Sequence, residues 1–150
     1  MPAEVIQAVR DVLSRDSRPG HPIGTTIDYL MDRFFYGEFH ILEQVSSSRY
    51  SEHVNLIGIK DPGTGAAPLW LLAHLGSGAA PSPSTWSRTG GDPVAATIDE
   101  RSGLCYGLGA ANAKADMILK LLAAARIDLE RLKRPIYVIG LSGDEGHGPG

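Results

Sequence analysis

Leu104 to Ala125, LCYGLGAANAKADMILKLLAAA, runs a tight glycine turn, Gly107-Leu-Gly109, straight into a strongly apolar helix with Asn112 and Lys114 near its start. A turn of this kind brings backbone N–H groups and a helix N-terminus to the edge of a sheet, where polar ligands and metals collect in α/β proteins. The apolar residues go almost all the way round the segment from about 110 to 126, which predicts a helix buried on a sheet. Working outward from it, helices alternate with apolar strand-like runs. The class read from that alternation is α/β, with a mixed, largely parallel sheet flanked by helices.

Upstream, AEVIQAVRDVLSR places Val5, Ile6, Val9, Val12 and Leu13 on one helical face, and Arg18-Pro-Gly-His-Pro22 breaks it. A second helix is predicted over about 26–36, with Ile27, Leu30, Met31, Phe34 and Phe35 apolar and Gly37 ending it. Phe39–Val45 and Val54–Ile59 read as strands. Leu69-Trp-Leu-Leu-Ala73 is a continuous apolar run suited to a strand buried on both faces, and His74 stands at its C-terminal end. Between Gly76 and Pro93 the chain is rich in Gly, Ser, Pro and Thr, a long loop carrying Trp86. Ala95–Ile98 and Leu104–Tyr106 suggest a short hairpin, and Ile136-Tyr-Val-Ile-Gly140 a last strand after Pro135. The polar run GDEGHGPG then follows a strand directly and reads as the middle of something longer.

The totals bound the possibilities. A chain of 150 residues, 43% hydrophobic and 21% charged, is long enough for one domain with a real core. The formal net charge of -3 and the scattered Lys and Arg residues give no field for a phosphate backbone, so nucleic acid is not expected. Cys105 is the only cysteine, which excludes an internal disulfide and fits a reducing cytoplasm. No apolar run approaches the length of a membrane span or a signal peptide, so a soluble, cytoplasmic protein with no membrane partner is expected.

Three polar positions follow strand ends: His74, the turn carrying Asn112, and Asp144-Glu145. Strand ends of an open α/β sheet converge on one crevice, so these distant residues can share a site. A His and a carboxylate offer zinc a nitrogen and an oxygen, and an adjacent carboxylate can take a proton from water. The plainer reading makes His74 a hydrogen-bonded structural residue and Asp144-Glu145 a solvated turn. Two further patterns are incomplete. Gly107-Leu-Gly109-Ala-Ala-Asn112 has Asn at the third glycine of a dinucleotide fingerprint. Gly140-Leu-Ser142-Gly-Asp144 has Asp at the closing glycine of a nucleophile elbow.

Taken in order, these residues resemble the zinc-dependent aminoacylase and carboxypeptidase family that includes acetylornithine deacetylase and succinyl-diaminopimelate desuccinylase. The resemblance runs from about Leu13 to Gly150. It is carried by Val54-Asn55-Leu-Ile-Gly58, by Trp86 and Asp92-Pro93, by Gly103-Leu-Cys-Tyr-Gly107-Leu-Gly109-Ala-Ala-Asn112-Ala-Lys114, and by Ile136-Tyr-Val-Ile-Gly-Leu-Ser-Gly-Asp144-Glu145. It implies a zinc-exopeptidase-like catalytic domain of which residues 1–150 are the N-terminal portion, the remainder and a lid or dimerisation domain being absent. It also implies that His74 and Glu145 are metal ligands. Three positions depart from the pattern. The aspartate that orients the histidine is Gly76, the aspartate that bridges two zinc ions is Asn112, and the general-base glutamate aligns with Asp144.

The departures weigh by charge and reach. A neutral Asn amide cannot offset the repulsion of two close zinc ions, so one ion, or none, is expected rather than two. Loss of the carboxylate behind a ligating His typically costs about 10–100-fold in metal affinity. Asp in place of Glu withdraws a base by ~1–1.5 Å, a displacement that can cost about 100-fold. The resemblance therefore implies a divergent amide-bond enzyme, hydrolytic or acyl-transferring, on an N-acyl amino acid or small peptide-like amide. In the hydrolytic form Asp144 activates water while His74 and Glu145, with Asn112 beside them, hold metal. The alternative is a metal-free homologue that binds an amide-containing ligand or serves as a partner subunit. In either case a companion chain or a missing C-terminal part is expected.

Overall fold

Two amphipathic helices open the chain, as their apolar spacing requires. The computed structural model describes residues 2–47 and 52–143. Among these the order is α1 (Ala3–Leu13), α2 (Gly24–Tyr36), β1 (His40–Ser47), β2 (Glu52–Lys60), β3 (Leu69–His74), β4 (Thr97–Asp99), β5 (Leu104–Tyr106), α3 (Lys114–Ala125) and β6 (Ile136–Leu141). Val5, Ala8, Val9, Val12 and Leu13 form the buried face of α1, and Ile27, Leu30 and Phe34 that of α2. Gly37 ends α2 by donating its N–H to the carbonyls of Arg33 and Phe34, both at 3.1 Å.

The main sheet has the order β1-β2-β6-β3, and β4 and β5 form the expected separate hairpin. The α/β class and the mixed sheet are as read from the sequence, but the parallel share is smaller: β1–β2 and β2–β6 are antiparallel, and only β3–β6 is parallel. The reason lies in the connections. β1 and β2 follow one another without a helix between them, whereas β3 reaches β6 through the α3 segment, and parallel neighbours need such a crossover.

α3 packs on β3 and β6 and against α1 and α2. Its direction follows from two anchors. Lys120 Nζ donates to the Leu72 carbonyl of β3 at 2.6 Å. At the far end Lys60 Nζ, on the residue opposite the first residue of β6, donates to the Ala125 carbonyl at 3.3 Å. The helix therefore runs antiparallel to β3 and β6, and its N-terminus stands at the edge where both strands end. It begins at Lys114 rather than near 110, because Gly107 (φ 146) and Gly109 (φ 87) hold the preceding turn outside helical geometry. Nor is it apolar to solvent on all sides: Met117, Ile118 and Leu121 are buried while Leu119 is exposed.

All three helices pack on one side of the sheet. Leu56 and Val138 face them, both fully buried. The opposite face carries a row across all four strands, Leu42, Ile57, Ile139 and Leu72, and a second row of Ile59, Tyr137 and Trp70. The Trp70 and Tyr137 rings lie 5.0 Å apart. Trp70 is 54% exposed and Leu72 48%, so β3 is not buried on both faces as its apolar run suggested. The exposure on that side is at the edge strands, whereas Ile139 on the inner strand β6 is only 5% exposed.

Candidate functional site

β3 and β6 end together, with His74 opposite Leu141. Since α3 runs the other way, the Asn112 turn, the end of β3 and the end of β6 all reach one edge of the sheet. That is the edge where ligands bind in open α/β sheets. His74 is half-buried there and Asn112 is exposed. Asp144 and Glu145 lie outside the described residues.

The loops at this edge are fixed by specific bonds. After β3, the Ser77 N–H donates to the Ser17 carbonyl at 3.2 Å and the two buried hydroxyls pair at 2.9 Å. Gly76 lies in this turn, and a β-carbon there would meet nothing closer than the Ser17 carbonyl at 4.0 Å. Neither a positive φ nor close packing demands glycine at 76, so a β-carbon fits there.

After β6, Ser142 Oγ accepts from the Val54 N–H at 2.7 Å, and the Ser142 N–H donates to Asn55 Oδ1 at 2.9 Å. Gly143 follows at φ +85, with the His53 ring against its α-carbon. His53, Asn55 and Ser142 thus direct the chain towards Asp144, a role that the sequence reading did not give them. The period-two placement of His53 and Asn55 on one strand was the available signal. Ser142 is 1% exposed and engaged at both polar groups, so it is no exposed nucleophile and the elbow pattern is overturned. The dinucleotide pattern fails because β5, which precedes the glycine turn, belongs to the separate hairpin rather than to the main sheet.

Lys114 is completely buried behind the turn. Its Nζ donates to the Leu13 carbonyl at 3.3 Å and to the Arg15 carbonyl, closing the end of α1. Burial pushes its pKa down to about 8. The motif lysine is thus a strut between α1 and the glycine turn.

A cavity of about 330 Å³ opens between the glycine turn and the Trp86 loop, and Asn112 is the one described residue of the four read from the sequence that lines it. The donor set decides what metal fits. Among the described residues no group of three or more His, Cys, Asp or Glu gathers to hold an ion. A structural or catalytic zinc takes at least three protein ligands. His74 and a neutral Asn112 do not make a zinc site, and the remaining donors read from the sequence are the two carboxylates outside the described residues.

No family model matches the chain, and no curated protein matches it. Solved structures do. It is similar to an M20 family metallo-carboxypeptidase, Sso-CP2 from Sulfolobus solfataricus, with 19% identity and a TM-score of 0.71 over 94% of this chain and 30% of that one. For human carnosine dipeptidase 1 the values are 15% and 0.68, over 92% and 31%. For Fimbriiglobus ruber glutaminyl cyclase they are 15% and 0.67, over 97% and 46%. Likeness at these identities establishes the fold: the α/β arrangement here is the one found in these metallopeptidase and cyclase structures. The chain spans 30–46% of their length.

Proposed function

We propose that this chain serves amide-bond chemistry on a small N-acyl amino acid or peptide-like amide, at the sheet edge shared by His74, the Asn112 turn and the strand leading to Asp144. The observation that carries the reading is the parallel register of β3 with β6, His74 opposite Leu141, with the N-terminus of α3 at the same edge. In the hydrolytic version Asp144 takes the proton of the attacking water, and His74 and Glu145 are the metal-binding residues. One zinc rather than two belongs to this version, because Asn112 has no charge to bridge a pair, and a third protein ligand would have to come from a companion chain or further sequence. Solved structures of the same fold include a Zn-dependent exopeptidase from Parabacteroides distasonis, and glutaminyl cyclases as well as peptidases, so acyl transfer stays within the proposal. A cytoplasmic setting belongs to it too; among the described residues no helix is long and apolar enough to cross a membrane.

Metal analysis of the purified protein, paired with a panel of N-acyl amino acids, tests this. Bound zinc together with chelator-sensitive hydrolysis is the expected result. No zinc, with no amide turnover, would sink the hydrolytic version. Gly76→Asp combined with Asn112→Asp should raise zinc affinity at least tenfold, by about the worth of a restored carboxylate behind the histidine.

A second reading is favoured by the uncovered sheet face. Trp70, Leu72 and Leu42 are exposed, and a parallel pair such as β3–β6 is normally covered on both sides. In this reading the chain is one part of a larger assembly, completed by a companion chain or by further sequence, and its metal site has been abandoned. A stable complex that is lost with Trp70→Glu supports it. Unchanged amide turnover by the isolated chain in a strong chelator separates it from the first reading.

A further inference from the structure

The cavity beside the glycine turn has a composition that the amide-bond reading does not use. One wall is the turn itself, Tyr106 to Asn112; the other is the Trp86 loop. The half-buried Trp86 is held by Nε1 donating to the Pro81 carbonyl at 3.3 Å, and Thr89 Oγ1 donates to the Trp86 carbonyl at 3.1 Å. Tyr106 of β5 also lines the cavity, and the Arg88 guanidinium lies over the Tyr106 ring, 5.4 Å from its centroid. Arg88 is in ion-pair contact with no carboxylate among the described residues. Asp99, which feels its charge, is already bound by the Ser102 hydroxyl and by the N–H groups of Arg101 and Ser102. The cavity therefore joins aromatic rings, the apolar Leu108 and Ala110, and an exposed cation over the Tyr106 ring that has no ion-pair partner among the described residues.

We infer that this cavity is a binding site for a small aromatic carboxylate, the ring lying against Trp86 and the carboxylate on Arg88. The volume suits one such molecule, being at the lower end of the range for small-ligand sites. A guanidinium pairs with a carboxylate in two parallel hydrogen bonds, which a neutral amide cannot reproduce. The site shares Asn112 with the proposed amide-bond edge, but it needs neither metal nor His74, so it survives if the amide-bond reading fails.

Two reporters lie in the cavity. Cys105 lines it and is the chain's only cysteine, and Trp86 becomes the only tryptophan in a Trp70→Phe background, Trp70 being on the open face of the sheet. Phenylacetate is expected to change Trp86 emission and to slow alkylation of Cys105 by iodoacetamide. Phenylacetamide should bind at least about tenfold more weakly, the worth of a hydrogen-bonded charge. Arg88→Gln, at an exposed position, should keep the thermal melt and abolish the preference for the acid. Inorganic phosphate should not compete at concentrations where phenylacetate saturates. Equal affinity for acid and amide, a preference that survives Arg88→Gln, full competition by phosphate, or no response of either reporter to phenylacetate would each overturn the inference.

Discussion

The His53 imidazole occupies the space that a β-carbon on Gly143 would need, its Nδ1 lying 2.2 Å from that position. Gly143 is also at φ +85, where any L side chain is strained. Two independent demands thus fall on one residue, the last described before Asp144. Gly143→Ala should cost about 2–4 kcal/mol in urea unfolding, roughly half from the backbone and half from the ring. His53→Ala in the same chain should return the steric part alone. A double-mutant cycle with coupling near zero would show that the ring is not what confines Gly143.

Gly58 and Phe34 meet in the same way on the helix side of the sheet. A β-carbon at 58 would lie 2.1 Å from Phe34 Cε1 and 2.3 Å from Cδ1, with the Phe34 side chain fully buried. Gly58→Ala should therefore destabilise by about 1–3 kcal/mol, the usual toll of overpacking. In the Phe34→Leu background the same change should cost clearly less, measured as a shift in denaturant midpoint.

Both contacts show where the sequence was readable and where it was not. The apolar periodicity of α1 and α2, the break at Gly37 and the hairpin at 97–106 come from local rules, and the fold follows them. Strand order is a long-range property: nothing in Ile136–Leu141 itself says that it will sit between an antiparallel β2 and a parallel β3. The exposure of Leu72 was hidden for a related reason, since an apolar run looks the same whether or not a layer covers it. At the site, His74 and Asn112 were legible as polar residues beside strand and helix ends. His53 and Ser142 were not, because they act through a contact and hydrogen bonds between residues about 88 positions apart, such as Ser142 with Asn55 and Val54.

Acid should weaken the loop after α1 through one carboxylate. Arg18, hydrogen-bonding from its side chain at 2.9 Å, holds the Asp16 pKa at about 2, below its ordinary 3.8. A group that ionises more readily folded than unfolded stabilises the fold wherever it is charged, so its contribution is whole above pH 3.8 and fades as pH falls towards 2. Allowing for solvent screening at this partly exposed site, Asp16→Asn should cost about 1 kcal/mol at neutral pH. The difference from wild type should shrink as pH falls through the folded pKa and reach nothing only below it. Equal destabilisation across that whole range would mean that packing rather than charge carries the effect.

The open sheet face makes opposite predictions for two leucines. Leu56 is fully buried under the helices, so Leu56→Ala should cost about 2–5 kcal/mol. Leu72 points the other way and is 48% exposed, so Leu72→Lys should change the stability of the isolated chain by no more than about 0.5 kcal/mol. It should also lower the binding of a hydrophobic dye and any self-association seen by sedimentation, because it places a charge at the β3 end of the Leu42–Ile57–Ile139–Leu72 row. If Leu72→Lys instead unfolds the chain as readily as Leu56→Ala, the face is buried by the chain's own fold and needs no second layer. If it leaves the isolated chain intact but prevents assembly, the row is where that layer docks.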